Sequence, residues 1–291
     1  ALAEITLPSA VKRIGSYAFS ETSITAFTFP DGTQPAEGMF RNCGKLASVT
    51  LPEGCTEIPA KTFSGTALQE ISLPEGLTRI GSDAFSSSSL TSLTCPSTLK
   101  EIGESAFFMC GSLATIALND GLETIKSSAF SYCDKLETVN IPNSVTTLEG
   151  CFSNCGKLRE AVLPEGLTSI SSSLFNMCMA LESVNIPAGV KNIGENAFQN
   201  CMAFTGITFP EGLESIGANA FYGCYSLEEL VLPETLTTLG ESSFDGCDGI
   251  VTLSLPGSIK TIPGNAFAYL VYLEELTINE GTTDIDEMAF I

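Results

Sequence analysis

Hydrophobic and polar residues follow a pattern along this chain that returns every 22 or 23 residues. Each repeat opens on a large apolar residue, has apolar residues again at positions 4 and 6, and most often has proline at position 7. Alternation with a period of two indicates a half-buried β-strand, and proline ends that strand because it cannot donate a hydrogen bond to the sheet. Thirteen repeats begin, in order, at Leu2, Ile24, Leu46, Leu68, Leu90, Leu113, Leu136, Leu158, Leu181, Phe204, Leu227, Ile250 and Leu273.

The second half of each repeat is equally regular and reads I-x-x-x-A-F-x-x-C from position 13. A phenylalanine occurs in all thirteen repeats at position 18, or one residue earlier in two of them, which predicts a buried aromatic column. Stacked identical repeats need parallel, in-register strands, and a spacing of about 4.8 Å predicts a concave sheet about 60 Å long. After position 13 we expect a brief extended segment and then a single helical or 3₁₀ turn.

The segment from Leu181 to Cys201 shows the whole pattern, with Val184, Ile186-Pro187, Ile193-Gly194 and Ala197-Phe198 at their expected positions. It resembles the BspA-type leucine-rich repeat, and the resemblance covers essentially the whole chain. The resemblance implies a leucine-rich-repeat solenoid of thirteen coils with short strands and turns on the outer side. It also implies an exported bacterial surface protein that adheres to host matrix proteins or to other cells.

Domain organisation follows from the uniform composition. No linker or charge run divides the chain, so we interpret residues 1–291 as one leucine-rich-repeat domain. The chain starts at Ala1 and ends within a repeat, and we therefore expect it to be a piece of a longer protein. No apolar run reaches the roughly 18 residues that would span a bilayer, so we expect no direct membrane insertion.

Charge and missing residue types narrow the chemistry. The net charge of −21 disfavours nucleic acid, which is bound through clustered Lys and Arg. The absence of histidine excludes Ser-His-Asp and Cys-His catalysis, and no C-x-x-C pair suggests a zinc site. We expect no enzyme activity, no cofactor and no metal centre. A stripe of acidic residues at position 8 leaves weak calcium binding as a minor alternative.

Eight of the eleven cysteines occupy position 21 or its equivalent. We interpret them as free, buried thiols that fill the core. Thr22, Thr66, Ser88 and Leu270 occupy the same position in other repeats, which favours side-chain size as the property that matters.

Two surfaces are candidates for binding a partner. The first is the acidic part of the strand face, and the second is the turn after the phenylalanine, where tyrosine and methionine recur. The candidate partner-binding residues are Glu160, Glu182, Glu228, Glu229, Glu274 and Glu275 on the strand face, and Tyr132, Tyr222, Tyr225, Tyr269 and Tyr272 on the turns.

The sequence therefore predicts a non-catalytic recognition or adhesion module, at the cell surface or secreted. Its expected partner is an extracellular or host-matrix protein, and we expect a monomer. Two alternatives remain: a structural spacer without a specific ligand, and a carbohydrate-binding module.

Overall fold

The computed structural model describes residues 2–291, which form two compact units with a division between Cys151 and Phe152. Each unit is a parallel-strand β-solenoid, so the predicted solenoid is confirmed, with about eleven turns in the two units together in place of the predicted thirteen. The first repeat contributes no strand to it. The prediction that residues 1–291 make one domain stays a prediction.

Unit 1, residues 1–151, contains ten strands of two or three residues. They are β1 (Ala26–Thr28), β2 (Ser48–Thr50), β3 (Glu57–Ile58), β4 (Arg79–Ile80), β5 (Ser92–Thr94), β6 (Glu101–Ile102), β7 (Thr115–Ala117), β8 (Thr124–Ile125), β9 (Thr138–Asn140) and β10 (Thr147–Leu148).

Unit 2, residues 152–291, contains ten more strands of two to four residues. They are β11 (Glu160–Val162), β12 (Ser169–Ile170), β13 (Ser183–Val184), β14 (Asn192–Ile193), β15 (Ser215–Ile216), β16 (Thr238–Leu239), β17 (Thr252–Leu255), β18 (Thr261–Ile262), β19 (Glu275–Ile278) and β20 (Asp284–Ile285).

The strands form two rows, one near position 4 of the repeat and one at positions 12 and 13. We call them the first row and the second row. Pairing is parallel and in register, as predicted: Phe27 pairs with Val49 in the first row and Ile80 with Ile102 in the second. The second row is the more continuous, with five strands in one sheet of unit 1 and four in one sheet of unit 2. The first row is interrupted within each unit, which corrects the prediction of one unbroken sheet at that face.

The outer turns contain no helix within residues 2–291, contrary to the expected helical or 3₁₀ turn. Residues 83–87 show the reason. Alternate amides point to the next repeat, where Asp83 N–H donates to Glu104 O and Phe85 N–H to Ala106 O, at 2.9 and 2.8 Å. The amides between them close turns, and Asp83 and Ser87 adopt left-handed conformations with φ of 54° and 58°. Half of the amides therefore serve neighbouring repeats, so a helix cannot form.

No helix of the described chain is long and apolar enough to cross a bilayer.

The phenylalanine column is the centre of the core, as predicted. Phe85 and Phe107 stack with ring centroids 5.2 Å apart and an interplanar angle of 3°. Phe221 and Phe244 in unit 2 stack at 5.1 Å and the same angle. This spacing matches the rise between repeats, so within each unit the rings contact the corresponding rings of neighbouring repeats.

The cysteine column lies beside the phenylalanines as free, buried thiols. Most of these thiols also contact a phenylalanine carbonyl: Cys201 Sγ lies 3.2 Å from Phe175 O, and Cys224 Sγ lies 3.2 Å from Phe198 O. Thr66, at the same position in its repeat, donates its hydroxyl to Phe63 O at 2.9 Å. Most of the residues found at this position therefore share the ability to donate a hydrogen bond, and side-chain size alone does not explain them.

Candidate functional site

The candidate residues named from sequence lie on two surfaces of the repeats. The glutamates lie at positions 2 and 3, at or just before the first-row strands, and the tyrosines lie in the turns at positions 19–23. The strand-face glutamates and the tyrosines are exposed to solvent. Whether any of them contacts a partner stays a prediction.

The acidic strand face of unit 2 is partly neutralised. Arg159 donates from Nη2 and Nε to Glu182 Oε1, at 2.8 and 3.0 Å, so Glu182 is engaged within the fold. Glu228 and Glu229 lie in repeat 11 and Glu274 and Glu275 in repeat 13, with Val251 and Thr252 between them in repeat 12, so these acids are two separate pairs.

A cleft of about 720 Å³ opens on this face between repeats 9 and 10. Its walls include Val184, Ile186, Gly206, Phe209 and Glu229, in roughly equal polar and apolar proportion. No first-row strand occupies residues 205–210, and Gly206 stands at position 3, where glycine is unfavourable for a strand. One predicted residue, Glu229, borders the cleft and pairs with Gly206 in an isolated parallel bridge.

The turn edge of unit 1 has an aromatic pair. Tyr132 packs edge-on against Phe108 with ring centroids 5.4 Å apart. Both neighbours of Tyr132 along the chain, Ser131 and Cys133, are buried. Met109, at the same position 20 of the preceding repeat, is also exposed, so Tyr132 belongs to a short apolar surface of two repeats.

The turn edge of unit 2 has a more extensive apolar surface. Five exposed side chains from three successive repeats form what we call the turn-edge ridge: Met177 and Met179, Met202, and Tyr222 and Tyr225. Met179, Met202 and Tyr225 occupy position 22 of repeats 8, 9 and 10, so they follow one another at about the 4.8 Å rise between strands. Their exposed fractions are 45%, 36% and 46%.

Backbone geometry explains why these side chains point outward. Met177 has φ of 59°, and its N–H donates to Gln199 O at 2.7 Å in the next repeat. The main chain is thus committed to the ladder between repeats, and the side chains are left outside the core. Sequence reasoning missed Met202, although its position in the same column as Met179 and Tyr225 was the available signal.

Tyr269 and Tyr272 lie on the same turn edge in repeat 12 and are also exposed. Repeat 11, between them and Tyr225, presents Asp245 and Asp248 instead of aromatic residues. Of the predicted tyrosines, Tyr222 and Tyr225 therefore belong to the ridge, and Tyr269 and Tyr272 lie beyond a pair of carboxylates.

Charge is unevenly divided between the units. Unit 1 has 16 acidic and 9 basic residues, a net charge of −7, whereas unit 2 has 18 acidic and 4 basic residues, a net charge of −14. In unit 1 three of the nine basic residues, Arg79, Lys100 and Lys126, pair with acidic ones along the second row. Glu101 Oε1 contacts Arg79 Nε at 3.2 Å and Lys126 Nζ at 3.0 Å, and Arg79 also pairs with Glu57.

This network shifts the ionisation of Glu101. Partial burial opposes its negative charge, but the hydrogen bonds from Lys126 and Arg79 outweigh that effect and lower its pKa. The second row of unit 1 is thus an internally compensated charge ladder, whereas unit 2 keeps most of its negative charge unpaired within the fold.

Residues 2–291 contain no group of three or more His, Cys, Asp or Glu side chains that could hold a metal ion. Burial raises the pKa of Cys110 to about 11 and that of Cys224 to about 12, which makes these two thiols poor nucleophiles.

Comparison with solved structures places the fold among bacterial leucine-rich-repeat proteins. A leucine-rich cell surface protein from Faecalibacterium prausnitzii has 25% sequence identity and a TM-score of 0.60, over 96% of this chain and 86% of that one. The pneumococcal vaccine antigen PcpA has 22% identity and a TM-score of 0.54, over 94% and 73%. A leucine-rich-repeat protein from Eubacterium ventriosum has 18% identity and a TM-score of 0.51, over 79% and 84%.

Sequence comparison gives the family. A search of curated protein sequences finds no match. The model of the BspA type leucine rich repeat region matches residues 1–110, 78–205 and 191–291, which together cover the chain. The resemblance inferred from residues 181–201 is therefore confirmed, and the chain belongs to the BspA-type leucine-rich-repeat family.

Proposed function

We propose that this chain is a non-catalytic recognition module, at the cell surface or secreted, that binds an extracellular protein through the turn-edge ridge of unit 2. The observation that carries the proposal is the ridge itself. Met179, Met202 and Tyr225 are exposed in consecutive repeats, although a soluble protein gains stability by burying such side chains. Contiguous exposed apolar side chains mark interaction surfaces, and tyrosine and methionine are enriched at them.

Family and structural neighbours support the location. One neighbour with 25% identity is described as a leucine-rich cell surface protein, and the family model covers this chain throughout. Lack of histidine removes the commonest catalytic machinery, which is consistent with a binding role.

The test is binding of the purified chain to immobilised fibronectin, fibrinogen, collagen and mucin at physiological salt, with and without calcium. We expect saturable binding to at least one of them. The double variant Met202→Ser/Tyr225→Ser should weaken it by tenfold or more, since anchors near the centre of an interface contribute about 2 kcal/mol or more when truncated.

A matched control removes an exposed apolar side chain from the other surface. Val231 lies at position 5 of a first-row segment and is 77% exposed, so Val231→Ser should leave binding within twofold. The opposite result, with Val231→Ser disruptive and the double variant neutral, would move the site to the first-row face. Absence of binding to all four proteins would favour the spacer alternative, and binding to mucin lost on deglycosylation would favour carbohydrate recognition.

A further inference from the structure

The turn-edge ridge ends at two carboxylates that share its columns. Tyr222 and Asp245 both occupy position 19 of their repeats, and Tyr225 and Asp248 both occupy position 22. Successive repeats are about 4.8 Å apart, so each tyrosine has a carboxylate as its next neighbour along the edge. The hydrogen bond from Gly223 N–H to Asp245 O, 2.8 Å long, holds these two turns in register.

Glycine shapes the surface at this junction. A Cβ atom added to Gly246 would lie 3.5 Å from Cε1 of Tyr225. The ring of Tyr225 thus lies against the backbone of the next repeat at Gly246, a residue that stands between Asp245 and Asp248 in the sequence. The result is an aromatic surface that borders directly on negative charge.

The two carboxylates are not neutralised within residues 2–291. No ion pair in that range includes Asp245 or Asp248. Partial burial raises the pKa of Asp245, although a hydrogen bond with Ser242 opposes the rise. A partly desolvated carboxylate without a counter-charge gains free energy from a cation that approaches it.

The surroundings reinforce this preference over a longer range. Residues 192–291 contain fifteen acidic residues and one basic residue, Lys260. The ammonium of Lys260 donates to the carbonyl oxygens of Gly257 and Gly281 at 3.1 and 3.0 Å, so it does not serve the turn edge. Such a field attracts positively charged partners and speeds their association at low salt.

We infer that the junction of the ridge and the aspartates docks an arginine- and lysine-rich segment of the partner protein. Tyrosine faces attract guanidinium and ammonium groups, and the apolar stems of Arg and Lys cover the methionines while their charged ends reach Asp245 and Asp248. The inference deepens the proposed function, on which it rests, by naming the chemistry of the partner.

The experiment uses three labelled twelve-residue peptides that share a Gly/Ser/Gln background and carry four Arg/Lys, four Glu or no charged residues. Binding to the full chain is followed by fluorescence anisotropy between 50 and 500 mM NaCl. We expect saturable binding of the cationic peptide alone. Asp245→Asn/Asp248→Asn should weaken it about tenfold, and its affinity should fall steeply with salt.

The control variant changes net charge equally at another place. Glu211→Gln/Glu234→Gln removes two exposed carboxylates from position 8 of repeats 10 and 11, and it should change affinity less than twofold. Both variants replace a carboxylate by its isosteric amide, and equal thermal midpoints would establish that both are folded. Equal weakening by the two variants would mean attraction by net charge alone, and it would overturn the inference.

Two further outcomes separate this inference from the proposed function. Saturable binding of an immobilised protein that is lost in Met202→Ser/Tyr225→Ser but unchanged in the aspartate variant would keep the function and refute the cationic partner. Failure of the cationic peptide to bind at 50 mM NaCl would likewise refute it. Absence of both protein and peptide binding would refute both.

Discussion

The thiol column offers the most direct test of how the repeats are held together, and Cys201 is a suitable probe because it lies inside unit 2. Its side chain is fully buried, and Sγ lies 3.2 Å from Phe175 O. That carbonyl also accepts the N–H of Cys178 at 3.1 Å, so loss of the thiol leaves it with one partner. Replacing Cys201 therefore removes packing and one hydrogen bond without creating an unsatisfied group.

The expected magnitudes follow from these contacts. In Cys201→Ala, loss of one heavy atom costs about 0.8 kcal/mol of transfer free energy by analogy with a methylene. A residual cavity of about 20 Å³ adds about 0.5 kcal/mol, and a weak S–H···O bond adds about 0.5 kcal/mol more. Cys201→Ser keeps a donor, and a satisfied buried hydroxyl should make it about 0.5–1 kcal/mol more stable than Cys201→Ala.

The assay is thermal and urea-induced unfolding of both variants, followed by circular dichroism. A difference of 1 kcal/mol corresponds to about 2–4 °C in Tm for a domain of 150–250 residues. If size and apolarity alone governed the position, the serine variant would be the less stable, because an unsatisfied buried hydroxyl costs about 1–3 kcal/mol. An alanine variant equal to or more stable than the serine variant would therefore refute the hydrogen-bond argument.

Three further predictions concern other contacts. The free energy of unfolding should fall above about pH 9, by roughly 1.4 kcal/mol per pH unit for each thiol that the fold keeps protonated; Cys224→Ser should reduce this slope by one such increment, and an unchanged slope would contradict it. Gly217→Ala should cost about 1–3 kcal/mol, because its Cβ would lie 2.7 Å from the backbone nitrogen of Glu195, whereas Gly212→Ala meets nothing within 4 Å; equal Tm changes would refute this. Glu101→Gln should lower the free energy of unfolding by about 0.5–1 kcal/mol at pH 7 and low salt, whereas Glu104→Gln, at an exposed position, should not. The difference in stability between the Glu101→Gln variant and the original chain should disappear as pH falls through the lowered pKa of Glu101, since protonation removes the same charge.

The sign of the alkaline effect follows from linkage. Burial raises the pKa of Cys224 from 9.0 to about 12. Between those values the unfolded chain has lost the thiol proton and the folded chain keeps it, so rising pH favours unfolding. The stabilisation is complete below the unfolded pKa and is lost as pH approaches the folded one.

The period, the strands near position 4 and the aromatic column could be predicted because each core position contacts copies of itself. Phe85 meets Phe107 for the same reason that Phe221 meets Phe244, so one repeat determines the packing of the others. Because each core residue packs against the equivalent residue of the next repeat, the pattern of one repeat is enough to infer the architecture from sequence.

Features that depend on how neighbouring repeats pair could not be predicted in the same way. Hydrogen bonds to the next repeat offset the conformational cost of the left-handed residues Asp83 and Ser87, and intrinsic propensities do not include such bonds. The first row has no strand at residues 205–210, and Gly206 is the one clear indication of this in the sequence. The ridge could be predicted only in part, because its tyrosines and methionines recur in the sequence but their exposure depends on the same left-handed turns.

Backbone conformation adds an argument for the turn edge as a whole, because Met109, Tyr132 and Tyr269 share the left-handed position 20 with Met177. Position 20 of the repeat is left-handed, a conformation that glycine and asparagine adopt most easily. Gly223 and Gly246 occupy it in repeats 10 and 11 and Asn200 in repeat 9, whereas Met177, with φ of 59°, occupies it in repeat 8. Methionine there bears about 1 kcal/mol or more of backbone strain, and at 38% exposed it recovers only part of that by burial. A left-handed apolar residue that stays partly exposed adds little to the stability of the fold, which supports the proposal that a partner covers it.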